Sequence, residues 1–523
     1  MPSVPVIKVL VIHQEAARAK YGRAGWTKIR HTVTALIKAD RARGITTRLY
    51  ALDSASDAKK VHAQAVSAPT DVAAIKAAID QINTVWQPAY IVLLGGPDLV
   101  ATVNLTNPLW TGNPADDPDQ FIPSDLPYAC DGPLTLSPAD YRGPTRVVGR
   151  LPDLVGDADL AVFVDNLSSA AQGKSLLRTS SEPVFAVSAK VWQRSTQLSV
   201  AALPDISCEL HTSPPDGPMW TAAEMAPAMH FVNCHGAEFD PNWYGQLSPN
   251  NWNLPVAIAA SGLPGLVPRG AVVASECCYG TSHWPPSAAH GQASVATTYL
   301  REGAAGVFGA STVAYGPAAS NAYADVICRM FVSEVLNGAS LGRAVLVARQ
   351  RFVQAQSFLD PIDLKTLAQF NLLGDPAAVA FVTSPPAAPA LPGSRRVAGP
   401  KSVPTPATSP VVLMRRGQLA SIGAALARST FACADLPRRR AGLTVAALAG
   451  LLGRALPGRT TIRTFDAETP SEPPPEAQAI VDTAGTSPRA HVAYVPRAST
   501  RPPSLVVVRE AGAEPEVRVV ERK

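Results

Sequence analysis

Apolar and polar positions in the first 382 residues switch between two periods. The run VIKVLVI at 6–12 is short, β-branched and apolar throughout, as expected of a strand covered on both faces of a parallel sheet. Ile29, Val33, Leu36 and Ile37 then recur at helical spacing within 25–43, and Gly44 supplies the stop. A strand TTRLYAL, a helix over 71–82 and strands at 89–96 (AYIVLLGG) and 146–152 (RVVGRLP) complete an N-terminal α/β subdomain over 1–155. Residues 156–382 repeat the logic. Helices are predicted over 157–172, 293–302, 318–336 and 340–355, and strands at 183–189, 229–236, 270–278 and 305–311. The expected fold class is α/β: parallel sheets flanked by helices, in two subdomains.

Beyond residue 382 the pattern breaks. Residues 383–410 are rich in Pro, Ala, Ser and Gly and read as a linker. Residues 411–523 show helical periodicity around 417–429 and 442–455. Short strand-like runs follow, the last pair (SLVVVRE and EVRVVER) forming a hairpin across AGAEP. This region is expected to be a small accessory α+β domain or a partly ordered tail. Residues 383–523 together carry 19 Lys and Arg against 10 Asp and Glu, which leaves −4 of the chain's net +5 for the first 382 residues. Aromatic residues are not interleaved with that charge, so the composition argues against nucleic acid as the partner and leaves a protein partner for the C-terminal region.

Composition narrows the class further. No run of 18 apolar residues is present, and the N-terminus lacks the apolar stretch and cleavage site of a secretory signal, so a cytoplasmic location without membrane contact is expected. Seven cysteines, odd in number and irregularly spaced, suit reduced thiols better than a disulfide framework.

Two strand ends carry the candidate chemistry. MHFVNCHG delivers His235 followed by Gly236, and GAVVASECCYG delivers Cys277 and Cys278 with Gly280 close behind. A thiolate nucleophile needs an imidazole to take its proton, and the acyl intermediate needs backbone N–H donors for its oxyanion. Gly236, lacking a side chain, lets a carbonyl approach its amide. Adjacent residues on a strand face opposite sides, so only one of the two cysteines can meet His235. Adjacent cysteines do not easily chelate one zinc ion, and no metal is expected. LLGGPDL lacks the lysine of a phosphate loop. Asp98, Asp116, Asp117, Asp119 and Asp125 lack the spacing of a calcium loop and read as polar loop residues.

The ordered set of these segments resembles the gingipain family of clan CD, the caspase-like cysteine peptidases. YIVLLGGPDLV, the stretch holding Ser124, Asp125, Tyr128, Gly149, Arg150 and Pro152, the segment GASTVAYGP, and FNLLGDPAA with Gly374, Asp375 and Pro376 match the family's pattern in order from about residue 5 to 382. The resemblance implies a caspase/gingipain-like catalytic unit that hydrolyses protein or peptide substrates through a His–Cys dyad and an acyl-enzyme, with no cofactor. It assigns the dyad to His235 and Cys277, by the spacing A-C-x-x-G, with Cys278 as the alternative nucleophile that a C-x-G spacing selects. Gly236 becomes the oxyanion donor. GASTVAYGP, with Tyr315, corresponds to the segment lining the substrate pocket. Where arginine-specific members carry acidic residues, this chain has Lys190 and Arg194, so a preference for basic substrates does not carry over and an acidic or neutral side chain is expected in the pocket. The alternative reading is an inactive caspase-like scaffold.

Overall fold

Ten strands form one sheet through the first 374 residues: β1 (Val6–Ile12), β2 (Ile45–Ala51), β3 (Tyr90–Leu94), β4 (Val148–Leu151), β5 (Glu182–Ala189), β6 (Ile206–Ser213), β7 (Met229–Asn233), β8 (Val272–Ser275), β9 (Gly306–Ala310) and β10 (Phe370–Gly374). Their spatial order is β2-β1-β3-β4-β10-β9-β8-β7-β5-β6. Every neighbouring pair is parallel except β9 with β10. The sheet is therefore two parallel blocks of opposite direction, joined at a single antiparallel seam. This computed structural model describes residues 5–282, 284–382, 416–433, 442–468, 470–472, 488–496, 504–511 and 514–523. The Pro-rich stretch 383–410 lies outside them.

Helices cover both faces, so the strands are buried on both sides, as their apolar runs require. Helix α1 (Gln14–Ala42) turns Trp26, Ile29, Val33 and Leu36 onto Leu10, Ile12, Val92 and Leu94. A short helical piece that His13 caps, accepting the amide of Ala16 at 3.2 Å, precedes the periodic stretch and is set off from it at Gly22, whose φ of 68° breaks the helix. Helices α2 (Ala324–Leu336) and α3 (Leu341–Gln354) pack together over the central strands. Helix 318–336 of the sequence reading starts later, at Ala324, after Tyr323 adopts a positive φ of 50°. Strand β6 was not expected. It is the sheet's outer strand, and its alternating half-buried positions Ile206, Cys208 and Leu210 are too weakly apolar to announce it.

The C-terminal residues build a second, antiparallel sheet from β11 (Ala432–Cys433), β12 (Thr461–Glu468), β13 (Arg489–Val495), β14 (Ser504–Glu510) and β15 (Glu516–Arg522). β14 and β15 pair as the expected hairpin, Leu505 opposite Val520 and Val507 opposite Arg518. This sheet docks on the first unit. Arg509 lies against Asp360 and Asp363 and donates to Gln356 at 3.0 Å, and the Tyr494 hydroxyl donates to the Leu109 carbonyl at 3.0 Å. Its outermost strand, β15, pairs antiparallel with the two-residue strand Tyr315–Gly316 of the first unit.

Candidate active site

Strands β7 and β8 are parallel neighbours, with Val232 opposite Ser275, so the residues that follow them emerge at one end of the sheet. After β7 the chain runs through Cys234 into His235–Gly236, which pairs with Asn242–Tyr244 as a small antiparallel ribbon. After β8, Glu276 is still tied to the strand end by its amide's bond to the Val232 carbonyl at 2.8 Å. The chain then turns sharply: Tyr279 has φ 52°, a left-handed value costly for a residue with a Cβ. The turn is pinned by the Tyr279 amide on the Thr312 carbonyl and the Tyr279 hydroxyl on Asp119 Oδ1 at 2.8 Å.

His235 packs its ring 4.3 Å from that of Trp192, and its Nε2 meets Gln246 Oε1 at 2.7 Å. The Gln246 amide nitrogen donates to the Ser248 carbonyl at 2.9 Å, which fixes its oxygen toward the histidine. Nε2 must then carry the proton, leaving Nδ1 as an acceptor. Burial, aided by the nearby Lys523 charge, pushes the imidazole pKa down to about 4 although Gln246 favours the charged form, so the ring is neutral at pH 7.

The two cysteines go to opposite sides. Cys277 is buried in the apolar cluster that includes Cys234, Trp243 and Tyr299. Cys278 faces the other way, its Sγ receiving the Ala314 amide at 3.3 Å. Burial pushes both thiols up to about 12. Gly236 sits against this turn. A Cβ there would stand 2.0 Å from the Cys278 carbonyl oxygen, so only glycine permits the approach. Gly236→Ala is expected to fold yet lose at least ~100-fold in turnover, the size of effect that displacing an oxyanion donor produces. Unchanged steady-state kinetics would contradict it.

Lys523 lies against the Cys278 backbone. The Cys278 amide donates to the Lys523 carbonyl at 3.1 Å, and the Lys523 amide donates to the Ala314 carbonyl at 3.0 Å. Its ammonium lies 2.6 Å from Glu276 Oε2 and also bonds Asp325 Oδ1; all three side chains are fully buried. Burial disfavours the lysine's charge, but Asp325 and Glu276 outweigh it and raise the pKa. Burial pushes the Glu276 carboxyl well above the usual range, the lysine opposing. A Cβ at Gly316 would lie 2.2 Å from Lys523 Cε, so glycine opens the channel for this side chain.

The model of peptidase family C25 matches residues 7–381. This chain belongs to peptidase family C25, the gingipain family of clan CD. It is accordingly a cysteine peptidase with a caspase-like α/β fold. Among solved structures, one described as "Structure of Protease" is 12% identical, with all of this chain and 98% of that chain covered at a TM-score of 0.45. The Saccharomyces cerevisiae separase–securin complex is 10% identical over 58% of this chain and 17% of that one, at a TM-score of 0.31. No curated protein matches.

Arg194 is exposed, and Lys190 reaches Thr212 Oγ1 at 3.4 Å. Neither is among the groups that hold the Lys523 side chain, which are Glu276, beside the cysteines, and Asp325, in the first turn of α2. The Tyr315 backbone pairs opposite Arg522, and its hydroxyl donates to Asp117 Oδ2 at 2.8 Å. Asp117 and Asp119 are held by Lys365 at 2.7 and 3.0 Å. Asp240 binds Tyr244 and Asn242. Trp192, Gln246, Glu276 and Asp325 are the site residues that sequence reasoning missed. Among the described residues, no group of three His, Cys, Asp or Glu side chains is placed to hold a metal, and no helix is long and apolar enough to cross a membrane.

Proposed function

We propose that this family C25 peptidase is an endopeptidase working through Cys278 and His235, with the amides of Cys278 and Gly236 holding the oxyanion. The observation that carries the reading is the bond from the Cys278 amide to the carbonyl of Lys523, the position a scissile carbonyl takes beside its nucleophile. Motif spacing alone favours Cys277. The packing favours Cys278: Cys277 is buried among Cys234, Trp243 and Tyr299, whereas the Cys278 backbone amide meets the Lys523 carbonyl.

In this reading a substrate backbone pairs along Tyr315–Gly316 and brings its carbonyl to the Cys278 amide. The Cys278 sulfur attacks the carbonyl carbon while its proton passes to His235 Nδ1. The collapsing tetrahedral intermediate expels the amine, which takes that proton, and leaves a thioester on Cys278. Water, deprotonated by the same nitrogen, attacks the thioester, releasing a carboxylic acid and restoring the thiol. Gln246 holds the tautomer that this sequence requires. The test is prolonged incubation of the full chain with excess peptidyl acyloxymethyl ketone, mapped by mass spectrometry. Modification of Cys278 that disappears in His235→Ala supports the dyad. Modification of Cys277 reassigns the nucleophile, and modification that ignores His235 returns the chain to the scaffold reading.

A further inference from the structure

We infer that residues Glu516–Lys523 are an intramolecular pseudosubstrate: β15 fills the peptidase cleft, and Lys523 plugs an acidic pocket, made by Glu276 and Asp325, that selects lysine. The inference rests on the assignment of Cys278 as nucleophile.

The segment meets each requirement of a bound peptide. It is extended and adds to the cleft strand by antiparallel pairing, Glu521 opposite Gly316 and Arg522 opposite Tyr315, the main-chain mode by which exposed strand edges capture peptides. Lys523 continues the pairing with its amide on the Ala314 carbonyl and ends with its own carbonyl at the Cys278 amide. Side chains on the way in are also received. Glu521 accepts the Trp192 indole N–H at 3.1 Å, and the Arg522 guanidinium donates to the carbonyls of Ala115, at 2.8 Å, and Asp116.

The pocket is chemically selective. Two buried carboxyls in one small site cannot both ionise unless a cation lies between them. A neutral side chain would leave them sharing a proton with no cation to pair, and an acidic one would add further negative charge. Gly316 leaves room for the aliphatic stem and no more. Reaching the carboxylates from the backbone line takes a long, thin, cationic side chain, which describes lysine.

Occupancy by the chain itself makes the site hard to enter. A tethered segment competes at an effective concentration on the order of millimolar, so a free substrate must displace a partner that never diffuses away. With the cleft filled, Cys278 is also shut off from water, which keeps its thiol protonated.

The test measures binding, so it stands whether or not the protein turns over. A fluorescent, C-terminally amidated peptide Val-Val-Glu-Arg-Lys is titrated by polarisation into full-length Cys278→Ala and into Cys278→Ala/Lys523→Ala, alongside a version ending in leucine. The lysine peptide is expected to bind at least tenfold more tightly once Lys523 is removed, the leucine peptide to gain nothing, and Glu276→Gln or Asp325→Asn in the double variant to erase the gain. Equal affinity with and without Lys523 would overturn self-occupancy, and equal gains for lysine and leucine would overturn the acidic pocket. Should Lys523→Ala fail to fold, Lys523→Gln, similar in length and uncharged, carries the same comparison. Failure of the catalytic reading shows separately, as unlabelled Cys278 in a chain that still binds the peptide.

Discussion

Replacing Cys278 with alanine is expected to abolish peptide hydrolysis, and replacing Cys277 to leave turnover within a few-fold of the starting protein. The nucleophile supplies the covalent route itself, and its loss in thiol and serine peptidases removes about three to six orders of magnitude in rate. Cys277 points away from the cleft into the cluster with Cys234, Trp243 and Tyr299, where an alanine removes only a buried sulfur. That substitution is expected to cost about 1–2 kcal/mol of stability through the small cavity it leaves. Steady-state rates on a lysine-ending fluorogenic peptide, measured with matched thermal melts, separate the two. A dead Cys277→Ala enzyme with an active Cys278→Ala one would reverse the assignment and restore the spacing argument.

The largest effect on stability is expected at Arg150, far from the thiols. Its guanidinium makes a two-pronged pair with Asp125, at 2.6 and 2.9 Å, and donates to the carbonyls of Gly95 at 2.8 Å and Val100 at 2.7 Å. The arginine is fully buried and its partner almost so. Arg150→Met strands the Asp125 charge and two carbonyls in the interior, which costs about 3–5 kcal/mol for a buried pair broken on one side. Replacing both partners, as Arg150→Met with Asp125→Leu, removes the stranded charge and is expected to recover part of the loss. Urea titration followed by tryptophan fluorescence reads both. A single variant within about 1 kcal/mol of the starting protein would mean that water reaches the site and satisfies the aspartate.

Much of the architecture can be read from the chain because the strands are buried on both faces. Runs such as MHFVN and GAVVAS allow no other placement, and they lead into His235 and the cysteines. The choice between Cys277 and Cys278 is a different matter, since both fit a small-residue turn. What favours Cys278 is the Lys523 carbonyl at its amide, a partner more than two hundred residues further along the chain. The segment after PVFAVSA draws attention to Lys190 and Arg194, whereas the buried carboxylate adjoining the cysteines, Glu276, carries no motif of its own. Asp325 had no local signal, because a carboxylate in a helix's first turn is ordinarily explained by the helix dipole. Register between β15 and Tyr315–Gly316 spans some two hundred residues of sequence and leaves no periodic trace.

The antiparallel seam between β9 and β10 also sets the order in which the protein can be made. The first block of strands, β2-β1-β3-β4, waits for β10 to cover the edge of β4, and β10 begins only at Phe370. A ribosome therefore releases more than two hundred residues after β4 before that edge is paired, and the growing chain carries an open strand all that time. Residue 155 is thus a change of pattern and not a place to cut: a fragment ending there keeps its apolar strands and loses the one that closes them.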